Sequence, residues 1–195
     1  LAGSNTYTGD THVDDGTLLL TGSLSSATDV TLSGTSIWDL RNAQTIASLD
    51  MAAGSSLVHG GGSSSLEVTG TARLSNAVTT SGLQKYAGAV TLGANTTLTG
   101  TSINTQSTLD GGASTLTIAG AVDVDGAYTN LTSLTVNGTA NIGADVTTTG
   151  TQAYTGAVTV SAASTLSTTD SNVTLGSTVT LGENLTVNTG AGAGD

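Results

Sequence analysis

The feature that most constrains the fold is a stretch of sequence that occurs more than once. QKYAGAVTL at residues 84–92 returns as QAYTGAVTV at 152–160. The longer segments 81–98 and 149–166 align without a gap, with about ten identical positions. A shorter relative, NTYTGDTHVDDGTL, lies at 5–18. Internal repetition is typical of stacked structural units, so we expect the chain to repeat one local solution several times.

A finer period runs inside the long repeat. Three-residue units with apolar, variable and apolar positions recur at spacings of about 17 to about 26 residues. Each unit predicts a short strand with two side chains inside and the middle one outside. Gly, Asn, Asp and Ser lie between the units, where turns require them. The units are VTL (30–32), LDM (49–51), LEV (66–68), VTL (90–92), LTI (116–118), LTV (134–136), VTV (158–160) and LTV (185–187).

The composition favours a folded β-rich protein over a disordered one. Thr and Ser make up about a third of the chain, and 27 residues are Gly. A high content of Gly and Ser is also found in disordered chains. Val, Leu and Ile nevertheless recur along the whole sequence, and Thr itself favours strands. Pro, Cys and Phe are absent, so neither disulfides nor thiolate chemistry is available.

These patterns predict an all-β parallel β-helix, or β-solenoid, of about nine or ten coils. A β-sandwich would favour longer alternating strands joined by two-residue hairpin turns. Each coil would take about twenty residues, and at a strand spacing of about 4.8 Å the coils would form a rod about 45 Å long. We expect one domain over residues 1–187, followed by a flexible Gly/Ala tail or linker at 188–195.

The charge excludes some classes of partner. The formal net charge is −11, and Arg41, Arg73 and Lys85 are the three basic residues. Nucleic-acid binding needs clustered cations, so we expect no nucleic-acid partner. No apolar run approaches the roughly twenty residues of a membrane helix, so we expect no membrane insertion.

The candidate catalytic and metal-binding residues are few and scattered. Asp14–Asp15 and Asp123–Asp125 are the close carboxylate pairs, and we interpret them as solvated acids, with a weak Ca²⁺ site at Asp123–Asp125 as the alternative. His12 should point outward from a strand, and His59 adjoins the flexible turn GGGSSS. No catalytic triad order or zinc motif is present. We therefore expect no enzymatic activity, no cofactor, and no catalytic, cofactor-binding or metal-binding residue.

Aromatic residues could serve a binding function or the core. Tyr7, Tyr86 and Tyr154 occupy equivalent places in the repeats, and we interpret them as one recurring corner position beside a Gly rather than as a ligand platform. Trp38 is interpreted as a core or cap residue. The alternative is a binding patch within 37–59 that uses Trp38 and Arg41.

The outward Thr residues suggest a further alternative. Stacked coils would align the middle residues of the units into a Thr ladder, and flat Thr ladders bind ice in some β-solenoids. Asp50 and Glu67 would interrupt that ladder, and the neighbours of each Thr are inward apolar residues. Solubility and strand preference are the plainer explanation. The six residues are Thr31, Thr91, Thr117, Thr135, Thr159 and Thr186.

The repeats at 81–98 and 149–166, joined through LTSLTVNGTANIGADV (131–146), resemble those of large bacterial surface proteins of the filamentous-haemagglutinin-like type. The opening GSNTYTGDTHVDDGTLLLTG (3–22) resembles the autotransporter-associated β-strand repeat, and residues 23–80 match less well. The resemblance implies a right-handed β-helix exported through a Gram-negative outer membrane. It implies the shaft of an adhesin or surface filament. Apart from the resemblance, a carbohydrate- or host-receptor-binding β-helix module and a polysaccharide-degrading enzyme are the alternatives. Partners would be neighbouring repeats or further copies stacked end to end.

Overall fold

The chain forms a β-solenoid of about nine turns, in agreement with the fold predicted from sequence. A computed structural model describes residues 1–190, and these contain 25 strands and no helix. All pairings between strands are parallel, and each complete turn contributes one strand segment to each of three faces. The first and second faces join into one 17-stranded sheet, and the third face is an eight-stranded sheet.

The strands are short and follow the three faces in rotation, except that no third-face strand lies between β2 and β3. Two longer strands, β9 (Ala72–Thr79) and β11 (Val90–Thr99), run through the corner between the first and second faces and belong to both. The first face also contains β1 (Thr11–Val13), β3 (Asp29–Leu32), β6 (Ser48–Met51), β13 (Leu109–Asp110), β16 (Tyr128–Leu131), β19 (Val146–Thr148), β22 (Ser164–Ser167) and β25 (Leu185–Asn188).

The remaining strands complete the other two faces. The second face contains β2 (Thr17–Leu20), β4 (Ile37–Leu40), β7 (Ser56–Val58), β14 (Thr115–Ile118), β17 (Ser133–Val136), β20 (Gln152–Tyr154) and β23 (Val173–Leu175). The third face contains β5 (Gln44–Ile46), β8 (Leu66–Val68), β10 (Leu83–Tyr86), β12 (Ser102–Thr105), β15 (Ala121–Val124), β18 (Ala140–Ile142), β21 (Val158–Val160) and β24 (Val179–Leu181).

The length of a turn varies modestly around the predicted value. On the first face Ala72 pairs with Val90 across a short turn, whereas Leu49 pairs with Ala72 across a longer one. The longer turn contains the loop of residues 59–65 between β7 and β8. Extra residues therefore leave the ladder as a loop and do not shift the strands on either side.

The core is one continuous apolar column enclosed by the three faces. Strand β14 shows the rule, because Leu116 and Ile118 are buried while Thr117 between them faces outward. Each fully buried Leu or Ile contributes about 1.5–3 kcal/mol relative to exposure. All eight units identified in the sequence lie in strands. The first and third residues of each unit point into the core and are buried, except in the last unit, 185–187, which no further described turn covers.

Glycine lines one corner of the solenoid where consecutive turns come into close contact. A Cβ on Gly138 would collide with the backbone of Gly120 one turn below, and one on Gly156 would collide with Gly138. Any side chain there would force two turns apart, so the position requires Gly for space. Gly88 and Gly156, which follow the repeated Tyr, both lie at such close contacts and neither has a positive φ, so they are required for space and not for a special backbone conformation.

The two copies of the long repeat lie on different faces, which the sequence patterns did not indicate. Tyr86 belongs to β10 on the third face, and Tyr154 belongs to β20 on the second. The two copies are therefore not separated by a whole number of turns. The faces are equivalent enough that one local sequence folds in the same way on two of them.

The predicted domain is continuous throughout the described residues. Its last strand, β25, ends at Asn188, one residue past the predicted boundary. The predicted tail at 188–195 falls mostly on residues 191–195, which lie outside the described residues.

Candidate functional site

The carboxylate pairs singled out in the sequence face outward, as predicted. Asp14 and Asp15 are exposed in the turn after β1. Asp123 and Asp125 lie on either side of the buried Val124 and project from the third face.

Amide side chains on neighbouring turns hold Asp123 in place. Asn104 Nδ2 donates to Asp123 Oδ2 at 2.8 Å, and Asn141 Nδ2 donates to Asp123 Oδ1 at 2.7 Å. Both carboxylate oxygens are therefore engaged by protein donors. Among the described residues, no group of three or more His, Asp or Glu side chains is placed to hold a metal ion.

The two histidines have separate surroundings. His12 is exposed on β1, and its Nε2 lies 3.9 Å from Asp10 Oδ2. His59 Nδ1 is 3.0 Å from Ser64 Oγ, which superficially resembles a nucleophile–base pair. Ser64 is only 2% exposed, however, and its Oγ accepts a hydrogen bond from the Ser81 N–H. A substrate could not reach this hydroxyl. The His59–Ser64 hydrogen bond instead joins the two ends of the loop of residues 59–65.

The proposed binding residues Trp38 and Arg41 are both used within the fold. Trp38 is fully buried, which confirms the core interpretation and removes it from any binding surface. Arg41 forms a bidentate pair with Asp39, with Nε to Oδ1 at 2.7 Å and Nη2 to Oδ2 at 2.6 Å. These hydrogen bonds hold the pKa of the Asp39 carboxyl below its usual value. The alternative patch within 37–59 thus lacks the aromatic anchor assigned to it.

The glycine run after His59 packs directly over this ion pair. The Gly60 N–H donates to Asp39 Oδ1 at 3.0 Å, and a Cβ on Gly60 would lie 2.5 Å from Arg41 Nη2. Gly62 has a φ of +82°, which non-glycine residues rarely adopt. The segment predicted to be a flexible turn therefore makes specific contacts with the ion pair.

The tyrosines do not form a ligand platform. Tyr86 and Tyr154 are buried, and burial raises the pKa of both phenols far above the usual value. Tyr7 differs, because it is 42% exposed and its hydroxyl lies 2.9 Å from Thr11 Oγ1. The prediction of one shared position was therefore wrong for Tyr7, and the two buried copies occupy different faces.

Two buried glutamines were not identified from the sequence. Gln84 Nε2 donates to the carbonyls of Val78 and Thr99 at 2.9 and 2.8 Å, and its Oε1 accepts from the Tyr86 hydroxyl at 2.9 Å. Gln152 makes the same set of hydrogen bonds in the second copy of the repeat. Its partners are Val146 O at 3.0 Å, Ser167 O at 2.8 Å and the Tyr154 hydroxyl at 3.2 Å. The signal was present, because Gln and Tyr are unchanged in both copies while the residue between them varies.

An open groove of about 410 Å³ runs along the first face near the N-terminal turns. Asp29, Asp50 and Arg73 line it on successive turns. Ser48 Oγ donates to Asp29 at 2.6 Å, and Arg73 Nη1 donates to Asp50 at 3.3 Å. The groove offers hydrogen-bonding groups to a ligand, but its only basic group already pairs with Asp50, and Asp29 already accepts from Ser48.

The six Thr residues expected in one ladder are distributed over all three faces. Thr31, Thr91 and Thr186 lie on the first face, Thr117 and Thr135 on the second, and Thr159 on the third. Asp50 is on the first face and Glu67 on the third. The charges that were expected to interrupt the ladder therefore leave the second-face Thr residues undisturbed.

The comparisons with known proteins leave the family open. No protein-family model, no curated protein and no solved structure matches the chain. Within residues 1–190 there is no α-helix with the length and apolar character of a membrane span.

Proposed function

We propose that the chain is a rigid structural segment, the shaft of a bacterial cell-surface or extracellular adhesin or filament. The observation that carries the proposal is the unbroken parallel ladder on three faces around one apolar column. Each turn contacts only its neighbours, so length is added by repetition without changing the cross-section. The resemblance of residues 3–22 and about 81–190 to surface-protein repeats supports the same role.

The mechanism would be mechanical. Backbone hydrogen bonds between turns lie along the rod axis, so bending or stretching the rod strains many of them at once. Side chains also join one turn to the next. Lys85 Nζ donates to Glu67 Oε1 on the neighbouring turn at 2.8 Å, and Asp123 accepts from Asn104 and Asn141 on the turns to either side. The outer surface thereby reinforces the direction in which a shaft bears load.

Electron microscopy of the purified chain over a concentration series tests the proposal. Nine turns at about 4.8 Å predict rods about 43 Å long. Isolated rods would support a segment of a longer shaft, and uniform fibres would support end-to-end stacking of copies. Compact or irregular particles at all concentrations would contradict both.

A binding module is the second candidate, and the groove on the first face is the observation that favours it. A shaft segment should not bind glycan arrays or host cells by itself. Binding that is lost in Arg73→Ala, and retained in Lys85→Ala on the third face, would replace the shaft proposal with a binding function for the groove. Equal binding by both variants would locate it elsewhere.

A further inference from the structure

The second face carries an array of hydroxyl groups on β11, β14 and β17. The outward residues of three successive turns form it, and we call these six the hydroxyl face: Thr97, Thr99, Thr115, Thr117, Ser133 and Thr135. Thr97, Thr117 and Thr135 are direct register partners in one column, and Thr115 and Ser133 are partners in the next. Each strand thus presents two outward hydroxyls with an inward apolar residue between them.

This array lacks the charges found on the other two faces. From β9 to β23 no Asp, Glu, Lys or Arg occurs in any second-face strand segment. On the first face the corresponding column contains Asp50, Arg73 and Asp110, and on the third it contains Glu67 and Lys85. The first-face strands from β16 to β25 and the third-face strands from β18 to β24 are also uncharged, so the hydroxyl face is distinguished by its outward hydroxyl pairs on three successive strands.

The hydroxyls are also available to an external partner. Thr96, which turns inward on the same strand, donates its hydroxyl to Ala94 O at 2.8 Å. In contrast, none of the six hydroxyls on the hydroxyl face bonds to another group within residues 1–190. The pairings from β11 through β14 and β17 to β20 continue without a register shift, which keeps the columns straight.

The spacings of the array suit ordered water. Turns repeat at about 4.8 Å along a column, and outward residues two apart on a strand are separated by about 6.6 Å. These repeats lie close to those of oxygen atoms on surfaces of hexagonal ice. Each Thr adds a methyl group beside its hydroxyl, so water above the face would be both anchored and confined.

We propose that the hydroxyl face binds ice, by holding a layer of water that matches the crystal. This activity is independent of the shaft role, since it uses three turns of one face. Neither of the two objections to an ice-binding ladder applies on this face, because the acids lie on other faces and paired outward hydroxyls are present. Strongly hydrated charges, which would compete with the lattice, are absent from the second-face strands between β9 and β23.

Thermal hysteresis, and the shape of ice crystals grown in a solution of the purified chain, test the proposal. We expect a hysteresis gap and faceted crystals for the natural chain, and loss of most of the gap in Thr117→Lys. Thr159→Lys is the matched control, because Thr159 is likewise the outward middle residue of a short apolar unit but lies on the third face. That variant should keep the gap.

Circular dichroism and sedimentation accompany the measurement so that every outcome is informative. Absence of hysteresis in a folded, monomeric natural chain would overturn the proposal. Equal loss in Thr117→Lys and Thr159→Lys, with both folded, would also overturn it. A dimer that Thr117→Lys dissociates, without hysteresis, would show that a second copy and not ice occupies the face.

Discussion

At the scale of single residues, the buried glutamines show how a polar side chain is accommodated in an apolar core. Burying an amide is costly unless its donors and acceptor are bonded. Gln152 donates to two carbonyls from different turns and accepts from Tyr154, so no demand is left unmet. Because Val146 and Ser167 belong to successive turns of the first face, the side chain joins those turns at the corner where β20 begins.

Replacing either glutamine should destabilise the chain by a similar amount. Gln152→Leu preserves approximate volume but removes the amide group that donates to two carbonyls and accepts from Tyr154, at a cost of about 1–3 kcal/mol. Gln84→Leu should cost about the same, although Gln84 lies on another face. Urea unfolding measures both changes, with Gln106→Leu at an exposed position as the control. A cost no larger than that control would show that the glutamine contacts are not stabilising.

The buried tyrosines predict a pH dependence at the alkaline end. Burial raises the pKa of Tyr86, Tyr128 and Tyr154 in the folded chain. Their contribution to stability is then fully present below the unfolded Tyr pKa of about 10, and it is lost as the pH rises above that value. We expect the free energy of unfolding to fall steadily above about pH 10.

Ultraviolet absorbance of the Tyr7→Phe variant tests this directly, since all three remaining tyrosines are buried. Phenolate should form only when circular dichroism shows the strands to be lost. Phenolate formation near the ordinary pKa, with the secondary structure intact, would contradict the burial of these rings.

At the scale of the structural element, the corner glycines determine how closely two turns can stack. Gly138→Ala should destabilise the solenoid by about 1–3 kcal/mol, because the new methyl group would overlap the Gly120 backbone and force the turns apart. Gly9→Ala is the matched control, since a Cβ there meets no atom within 4 Å. Thermal unfolding of the two variants distinguishes a requirement for space from a general effect of removing Gly. Equal melting temperatures would refute the close stacking.

The strands could be predicted from the sequence better than the faces they form. The LTI unit at 116–118 identified a strand and its inward pair correctly, because alternation of apolar and polar residues is a local signal. Which units share a face depends on how many corners separate them, and turn length varies with loops such as 59–65. The Thr residues were therefore assigned to one ladder when they occupy three.

The candidate sites also depended on information that the local sequence pattern does not carry. Alternation in the strand allowed Trp38 to be either buried or exposed, and only the fold places it in the core. The Asp39–Arg41 pair and its glycine cover likewise required knowledge of the loop path. Tyr7 shares its sequence context with Tyr86 and yet remains exposed. Its turn lies near the start of the described solenoid, where fewer neighbouring turns cover it.

At the scale of the whole molecule, the solenoid is a one-dimensional stack whose stability should be distributed unevenly. Contacts connect each turn to those directly above and below it, so the energies of turns and interfaces add along the rod. Both end turns are less covered than the middle ones, since Leu181 is 60% and Val187 46% exposed at one end and Leu19 44% at the other. Local opening should therefore begin at the end turns.

A destabilising change near one end should accordingly loosen that end without unfolding the other. Amide hydrogen exchange of Gln152→Leu should accelerate from β19 to β25 and stay unchanged from β1 to β8, because the altered contacts join only neighbouring turns. Trp38 fluorescence reports the N-terminal turns in the same sample. Its transition should therefore occur at a higher urea concentration than the transition seen by circular dichroism of the whole chain. In the natural chain the two transitions should lie closer together. Uniform acceleration of exchange, with coincident transitions in the variant, would mean that the whole rod unfolds as one cooperative unit.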